Sequence, residues 1–498
     1  MIIPSILLQT IVVPVITALF ILLTRRKIGK KAGLIAGIAL LYTTVLLCIV
    51  GIRVYQGAVI SEGYVWGPYV TFGLLADGLS LPIALIINII CAALAFHSLR
   101  YMEQRVDILY GEEDAKTKLS YYTSYFWLYL LVSAAFIGIC FATNLIIIYL
   151  FIELLIIPFY LLISYFGYIE RFRVAVMCFL WGIVGGTFIL FASVLVYSQI
   201  GSFEISELHA LAGNPMAVWI ALLIFLGLFI KMAVFPLHIW MPWVDGEAPT
   251  CIAGALTIYA NIAAYVIVRV LILPLYDDLK VFSIPIMIMA LITIIYGALL
   301  ALAQDDVKRL CACSTIGQIS FSLVGLGALT IWSIEGGIYY FLSHILGKAI
   351  LFSTAGIVVY VTGIRDMKEM GGLIRKMPIT ATLWIIGAII LTGVPLSSGF
   401  TGKWILFTGV FGAYHGSTGL VIAILGILAT ILTAAYTFWA AKRIFFGPLK
   451  PELANDSRIR DPPLSMSIPL LILAVISIVM GVYPEPLMDL LHSVIGLL

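Results

Sequence analysis

Charge is scarce in this sequence. Only 11% of its 498 residues are Asp, Glu, Lys or Arg, where a soluble globular chain carries about a quarter. That shortage excludes a soluble fold before any motif is read. Polar gaps between apolar runs are nearly missing too, so the length reads as one polytopic bundle and not as several soluble domains. There is no basic arm, acidic tail or low-complexity tract, and a net charge of +3 leaves no footprint for nucleic acid. The seven cysteines, Cys48, Cys91, Cys140, Cys178, Cys251, Cys311 and Cys313, form no C-x-x-C pair and no His/Cys cluster with zinc spacing. Iron–sulfur and haem ligation are therefore not expected. The thiols read as small buried apolar groups, and no metal or cofactor is expected in this chain. A cleavable leader is not expected either, because Arg25, Arg26 and Lys27 follow the first apolar run instead of preceding it.

What the sequence has is apolar length. Hydrophobic residues make up 63% of it, and the mean hydropathy is +1.15. A membrane-spanning helix needs about 20 apolar residues. The hydropathy reading gives an all-α polytopic protein with about fourteen spans, at 3–23, 32–54, 75–97, 122–142, 144–168, 174–199, 216–243, 250–275, 281–303, 310–332, 335–361, 378–412, 418–441 and 465–486. Of the 28 Lys and Arg residues, only Arg53, Arg269 and Lys280 fall on or near the outer side, and Lys231, Lys348 and Lys403 lie within spans. All the others sit in the alternate loops that the positive-inside rule assigns to the cytoplasm. Both termini are thus expected outside, in a multi-pass protein of the cell (inner) membrane.

The seventh and twelfth segments are too long for one straight span. Each is interrupted, by Val234-Phe235-Pro236 in one and by Gly393-Val394-Pro395 with Gly399 and Gly402 in the other. Broken helices at matching places in two halves mark an internally repeated transporter. Here each is the fourth of a set of five, helices 4–8 and 9–13. An odd number of helices sets consecutive repeats inverted to one another. The expected organisation is an N-terminal three-helix segment (1–121), two half-channel repeats (122–275 and 281–445) and a C-terminal helix and tail (446–498).

Each broken segment carries a lysine, Lys231 and Lys403. A charge at the bilayer centre costs roughly 2.5–3.5 kcal/mol on insertion scales, so each needs a reason. Glu153 lies roughly 13 Å into the fifth segment at about 1.5 Å per residue. Lys348 is near the middle of the eleventh, with His344 one turn before it on the same face. Desolvation disfavours the charged form of an amine and a nearby carboxylate restores it. At an effective dielectric of about 20, a pair about 4 Å apart interacts by roughly 4 kcal/mol, and at about 10 Å less than half of that remains. An ion pair that opens and closes is therefore a sufficient proton switch. The alternative is a static salt bridge that locks helices. Asp77 reads as a helix cap or a water-facing group, Arg269 as snorkelling, and His97 as interfacial. His209, His415 and His492 receive no role.

The stretch Lys231-Met-Ala-Val-Phe-Pro236-Leu-His238-Ile-Trp240-Met-Pro242 with Glu247-Ala-Pro249-Thr250 resembles the signature of the antiporter-like subunits of respiratory complex I (NADH:quinone oxidoreductase), Mrp-type Na⁺/H⁺ antiporters and membrane-bound hydrogenase-related complexes. Asp77-Gly78-Leu79-Ser80, the run from Phe151 through Glu153 to Pro158, Asp306-Val307-Lys308-Arg309-Leu310, the run from His344 through Lys348 to Phe352, and the run from Ser398 to Lys403 match in family order. The resemblance implies that Glu153 and Lys231 form the pair of the first half-channel. It also implies that Lys403 ends the second, and that His238, His344 and Lys348 belong to the path. Three positions depart from the family pattern. Asn261 stands where Lys is common, Gln318 where His is common, and Lys403 where the most similar middle complex I subunit has Glu. Asn and Gln hydrogen-bond water without changing charge, and they form a secondary polar path.

The expected function is a proton (or Na⁺) translocating subunit of a redox-driven membrane complex related to complex I, with no redox centre of its own. Its partners would be other antiporter-like subunits, a redox arm and lipid. The rivals are a subunit of a redox-free Mrp-type antiporter and a scaffold with an inactive channel.

Overall fold

A computed structural model of the chain describes residues 4–65, 67, 70–413 and 416–498; His415 lies outside them. Two helices, α1 (Ile6–Ile28) and α2 (Lys31–Tyr55), lead into an antiparallel hairpin, β1 (Ile60–Val65) and β2 (Thr71–Ala76), paired from Ile60↔Ala76 to Val65↔Thr71. Four long helices follow: α3 (Ser80–Leu109), α4 (Ala115–Phe141), α5 (Leu145–Phe166) and α6 (Arg171–Ile200). The first interrupted segment is α7 (Pro215–Lys231) with α8 (Met241–Glu247). Next, α9 (Thr250–Val266) continues through a π-helical stretch, Ile267–Ile272, into the short α10 (Leu273–Leu275). After α11 (Ser283–Leu302), α12 (Val307–Ala328) and α13 (Ile331–Thr362) comes the second interrupted segment, α14 (Pro378–Thr392) with α15 (Ser398–Phe411). The last helices are α16 (Gly416–Phe445), α17 (Pro451–Asn455), α18 (Leu464–Val482) and α19 (Glu485–Ile495).

Among the described residues, twelve helices are long and apolar enough to cross a membrane. The segments expected at 216–243 and 378–412 are each built as two shorter helices. The hairpin is absent from the hydropathy reading, which places a span over 75–97. Residues 71–76 are strand, and α3 starts at Ser80 and runs on to Leu109. The third, fourth and sixth helices all outrun their apolar stretches, because hydropathy marks only the hydrocarbon thickness and a helix continues into water beyond it.

The two breaks have local causes. After α7, Ala233 takes a positive φ of 52° and Pro236 has no N–H to offer. The backbone groups freed there find partners: Phe235 N donates to Thr293 Oγ1 at 3.1 Å, and the Trp240 indole donates to Ile230 O at 2.9 Å. In an apolar surrounding such groups must be satisfied. α14 stops at Gly393, whose φ of 82° suits glycine. Ser397 then caps α15 by accepting from Phe400 N at 3.3 Å. α15 folds back so closely that a Cβ on Gly399 would overlap the Ile390 carbonyl.

Hydrogen bonds between loops sort the connections into two ends. At one end Lys30 meets Glu103 (3.2 Å), Arg105 Nε donates to Phe166 O (2.9 Å), Tyr168 N to Glu247 O (2.9 Å), and Arg443 pairs with Asp305 (2.8 Å). We call this the basic end. At the opposite end Leu7 N donates to Glu62 (2.9 Å), Asn144 Nδ2 to Glu204 (2.9 Å), and His492 Nδ1 bonds Glu335 (2.7 Å). The first and last helices therefore start and finish at the end away from the basic loops.

The centre of the bundle is α9, α12 and α13. The apolar stretch of α12 is wholly buried, whereas only 33% of that of α16 is. Leu420, Val421, Ile424, Leu428 and Ile431 of α16 face outward. In water so large an apolar belt would drive association; in lipid it is the required surface.

Candidate functional site

Glu153 sits on α5 against α6, with its carboxylate over Gly186. A Cβ at that glycine would overlap Glu153 Oε1, which has no hydrogen-bond partner. Lys231, the last residue of α7, is 3% exposed. Its Nζ donates to Tyr259 Oη of α9 at 2.8 Å and to Gly182 O of α6 at 3.3 Å. Helices α6 and α7 approach closely through Gly185 and Gly227, where a Cβ on Gly227 would stand 2.6 Å from Gly185 O. Small residues at such crossings let backbones meet. The two helices thereby set Lys231 beside the wall that holds Glu153, yet no ion pair joins the two among the described residues.

From Lys231 the polar groups continue along the centre of the bundle. Tyr259 is followed on the same helix by Asn261, whose Oδ1 lies 3.0 Å from His344 Nδ1 of α13. One turn further, Lys348 Nζ donates to Cys311 O at 2.6 Å and to Ser314 Oγ, both on α12. One turn back from His344, Tyr340 donates to Gln318 Oε1 of α12. Gln318 Nε2 in turn donates to Thr433 Oγ1 (2.8 Å) and Tyr436 Oη (2.6 Å) of α16. Asn261 and Gln318, two of the three positions that depart from the family pattern, therefore stand within the line as hydrogen-bonded links.

Lys403 ends the line. Its Nζ donates to Leu391 O at 2.8 Å and Thr392 O at 3.3 Å, the carbonyls that the broken helix α14 leaves free at its C-terminus. It lies 4.3 Å from the Phe321 ring centre and 5.1 Å from that of Tyr340. A helix C-terminus carries partial negative charge, which suits an ammonium. Among the described residues none of Lys231, Lys348 and Lys403 has a carboxylate within ion-pair distance. The static salt bridge weighed from the sequence is not what holds them. Among the described residues, His344 Nε2 and Glu153 Oε1 have no hydrogen-bond partner.

His238 stands apart. It lies in the turn between α7 and α8, its ring packed 4.7 Å from Tyr296 and 5.5 Å from Phe235. Among the described residues no hydrogen bond or ion pair joins it to the lysines. Two other readings need correction. Arg269 does not snorkel: its Nη2 pairs at 2.6 Å with Asp77, which also accepts from Leu79 N and Ser80 N and so caps α3. His97 is not interfacial. It is fully buried and holds Met466 O of α18 through Nδ1 at 2.8 Å.

At the basic end two family-like motifs, that of Glu247 and that of residues 306–310, converge on Arg365. Arg365 donates from Nε to Asp306 (2.7 Å), from Nη1 to Glu247 (3.2 Å) and from Nη2 to Gly246 O (3.1 Å). Lys308 is counted among the loop cations yet is fully buried. It bonds Ala248 O and lies 3.9 Å from the centre of the Tyr168 ring, which Arg105 also approaches at 3.9 Å. The sequence reading missed Asp245. It lies on α8 with no exposure, and neither carboxyl oxygen has a hydrogen-bond partner. The signal was weak: the residue lies two positions past the expected end of the segment 216–243, in a short polar gap where an acidic residue is unremarkable.

Comparison with known proteins accounts for this arrangement. Residues 142–433, which include both breaks and the whole polar line, match the family model described as NADH:quinone oxidoreductase/Mrp antiporter, transmembrane. The F(420)H(2) dehydrogenase subunit M of Methanosarcina mazei is 28% identical over 97% of this chain and 95% of its own length. NADH-quinone oxidoreductase subunit M of Rickettsia prowazekii is 30% identical over 75% of each chain. A chain in the structure of the Mrp complex from Dietzia sp. superposes with a TM-score of 0.86, covering 99% of this chain and 97% of that one at 20% identity, which establishes the shared fold. A multi-pass helical bundle, two interrupted helices bearing lysines and a family match over more than half its length together make this chain a member of the NADH:quinone oxidoreductase/Mrp antiporter transmembrane family.

Proposed function

We propose that this chain is a proton (or Na⁺) translocating subunit of a redox-driven multisubunit membrane complex. The observation that carries the reading is the succession of polar side chains from the half-buried Glu153 through the buried Lys231, Tyr259, Asn261, His344, Lys348 and Gln318 to Lys403. It ties the two broken helices together through the middle of the bundle. Each lysine is held by carbonyls and hydroxyls, contacts that serve a neutral amine as well as an ammonium, since the amine keeps N–H donors. Ionised lysines are costly in such surroundings. Arrival or departure of a proton at one of them therefore changes the energy of its neighbours, the condition for passing charge along the line. His238 belongs to the proposal only as a neighbour of the first break.

The two halves act as inverted five-helix repeats, 122–275 and 281–445, framed by the segments 1–121 and 446–498. The basic end faces the cytoplasm and both termini the outside of the cell (inner) membrane, in line with the asymmetry of Lys and Arg. Other antiporter-like subunits and a redox arm complete the assembly, and electron donor and acceptor are bound there. A second reading, a subunit of a redox-free Mrp-type antiporter, draws support from Lys403 at the terminal position and from the Dietzia structure. Purification of the complex separates the two. Co-eluting iron–sulfur or quinone-type proteins favour the first, and small antiporter subunits alone favour the second. In membrane vesicles, Glu153→Gln and Lys231→Ala are each expected to abolish ion uptake. Unchanged uptake in both would leave a scaffold.

A further inference from the structure

The polar line described so far runs across the bundle, and among the described residues its hydrogen bonds include no branch to the basic end. Asp245 supplies one. It lies on α8, which packs on α6, α9 and α12. The side chain is fully buried and both of its oxygens are without a hydrogen-bond partner. Its neighbour Glu247 is fully engaged, by Arg365 and by Glu170 N, so the contrast is specific to Asp245. The charged groups that act on it are Lys348 of α13 and Lys308 of α12. The titratable groups facing it from α6 and α12 are the thiols Cys178 and Cys313. Lys308 in turn reaches Ala248 O and the Tyr168 ring at the basic end, and Gly246, next to Asp245, is held by Arg365. Asp245 thus stands between the central lysine and the charged cluster at the basic end.

An isolated buried carboxylate with no donor is strongly disfavoured. Two states of the Asp245–Lys348 pair avoid a net buried charge: carboxylate with ammonium, and carboxylic acid with amine. One proton separates them.

We propose that Asp245 is the proton-exchange partner of Lys348 and connects the central line to the basic end, an assignment that rests on the ion-translocating reading above. In the step, an O–H bond of Asp245 breaks and an N–H bond forms on Lys348, relayed through water, since the two side chains are not in contact. Acid and amine become carboxylate and ammonium, with no change in electron count. The carboxylate is then reprotonated from the Lys308–Arg365–Glu247 cluster, and Lys348 passes its proton toward the His344 side.

The test uses the assembled complex in inside-out membrane vesicles, with ion uptake followed by a pH-sensitive dye. Asp245→Asn is expected to lower uptake by about a hundredfold or more, Asp245→Glu to retain most of it, and Lys348→Met added to Asp245→Asn to cost nothing further. Infrared difference spectra during turnover are expected to contain the carbonyl band of a protonated carboxylic acid. That band should vanish in Asp245→Asn and shift in Asp245→Glu, so the Glu variant identifies it even if the Asn variant does not assemble. If Asp245→Asn pumps like the parent while Lys231→Ala is inactive, the role of Asp245 is refuted and the general reading stands. If both pump like the parent, the general reading falls with it. A carboxylic band that ignores both Asp245 variants also overturns the proposal.

Discussion

The placement of Glu153 against Gly186 allows a test by one methyl group. Gly186→Ala puts a Cβ where Glu153 Oε1 now lies. The carboxylate, at the end of a flexible side chain, has to retreat by about 2 Å to restore an ordinary carbon–oxygen contact. Among the described residues no ion pair joins Glu153 and Lys231, so at an effective dielectric of about 20 a retreat of about 2 Å from the lysine removes at most about 1.4 kcal/mol, about tenfold or less in equilibrium terms. Glu153→Gln removes the whole interaction, up to about 4 kcal/mol on the same scale. The fold is not the casualty, since Ala is better than Gly inside a helix by about 1 kcal/mol. Ion uptake by vesicles and the unfolding temperature in detergent are measured together. The expectation is a few-fold slower uptake for Gly186→Ala at an equal or higher Tm, and a far larger loss for Glu153→Gln. Full uptake in Gly186→Ala, or a loss matched by a fall in Tm, would refute the placement of Glu153 as the working carboxylate.

Two further outcomes follow from the hydrogen bonds. Gln318→Leu removes the partner of Tyr340, Tyr436 and Thr433. It should lower stability by about 1–3 kcal/mol and cut ion uptake; a variant with normal uptake would remove Gln318 from the line. Arg269→Met leaves Asp77 as a buried unpaired charge and should cost about 3–5 kcal/mol in thermal unfolding, much of it recovered when Asp77→Asn is added. Equal Tm values for parent and Arg269→Met would show that the pair does not hold α3 to the π-helical stretch.

The sequence made the membrane class plain because apolar runs of spanning length have no other stable use. Both breaks were readable from Pro236 and from the glycines around Pro395, and with them the lysines they carry. Helix ends were less readable: α3 continues to Leu109 because nothing in hydropathy stops a helix on leaving hydrocarbon. The hairpin at 60–76 is too short and mixed to stand out. Pairings over long separations were beyond reach. Asp77 and Arg269 lie 192 residues apart, so each alone looks like a cap or a snorkelling side chain. His97 sits at the expected polar end of a span and is buried only because α18 covers it. Asp245 was missed for a similar reason: α12, far along the chain, packs on the helix that carries it.

The central claim is that protons cross this subunit by way of the buried lysines, and Lys348, near the middle of the 32-residue α13, is where to ask. The measurement is the number of ions moved per turnover by the intact complex in sealed vesicles, with and without Lys348→Met. The account predicts that turnover of the redox partners persists while the ion count falls by the share this subunit carries. An unchanged count in a fully assembled Lys348→Met complex would contradict it.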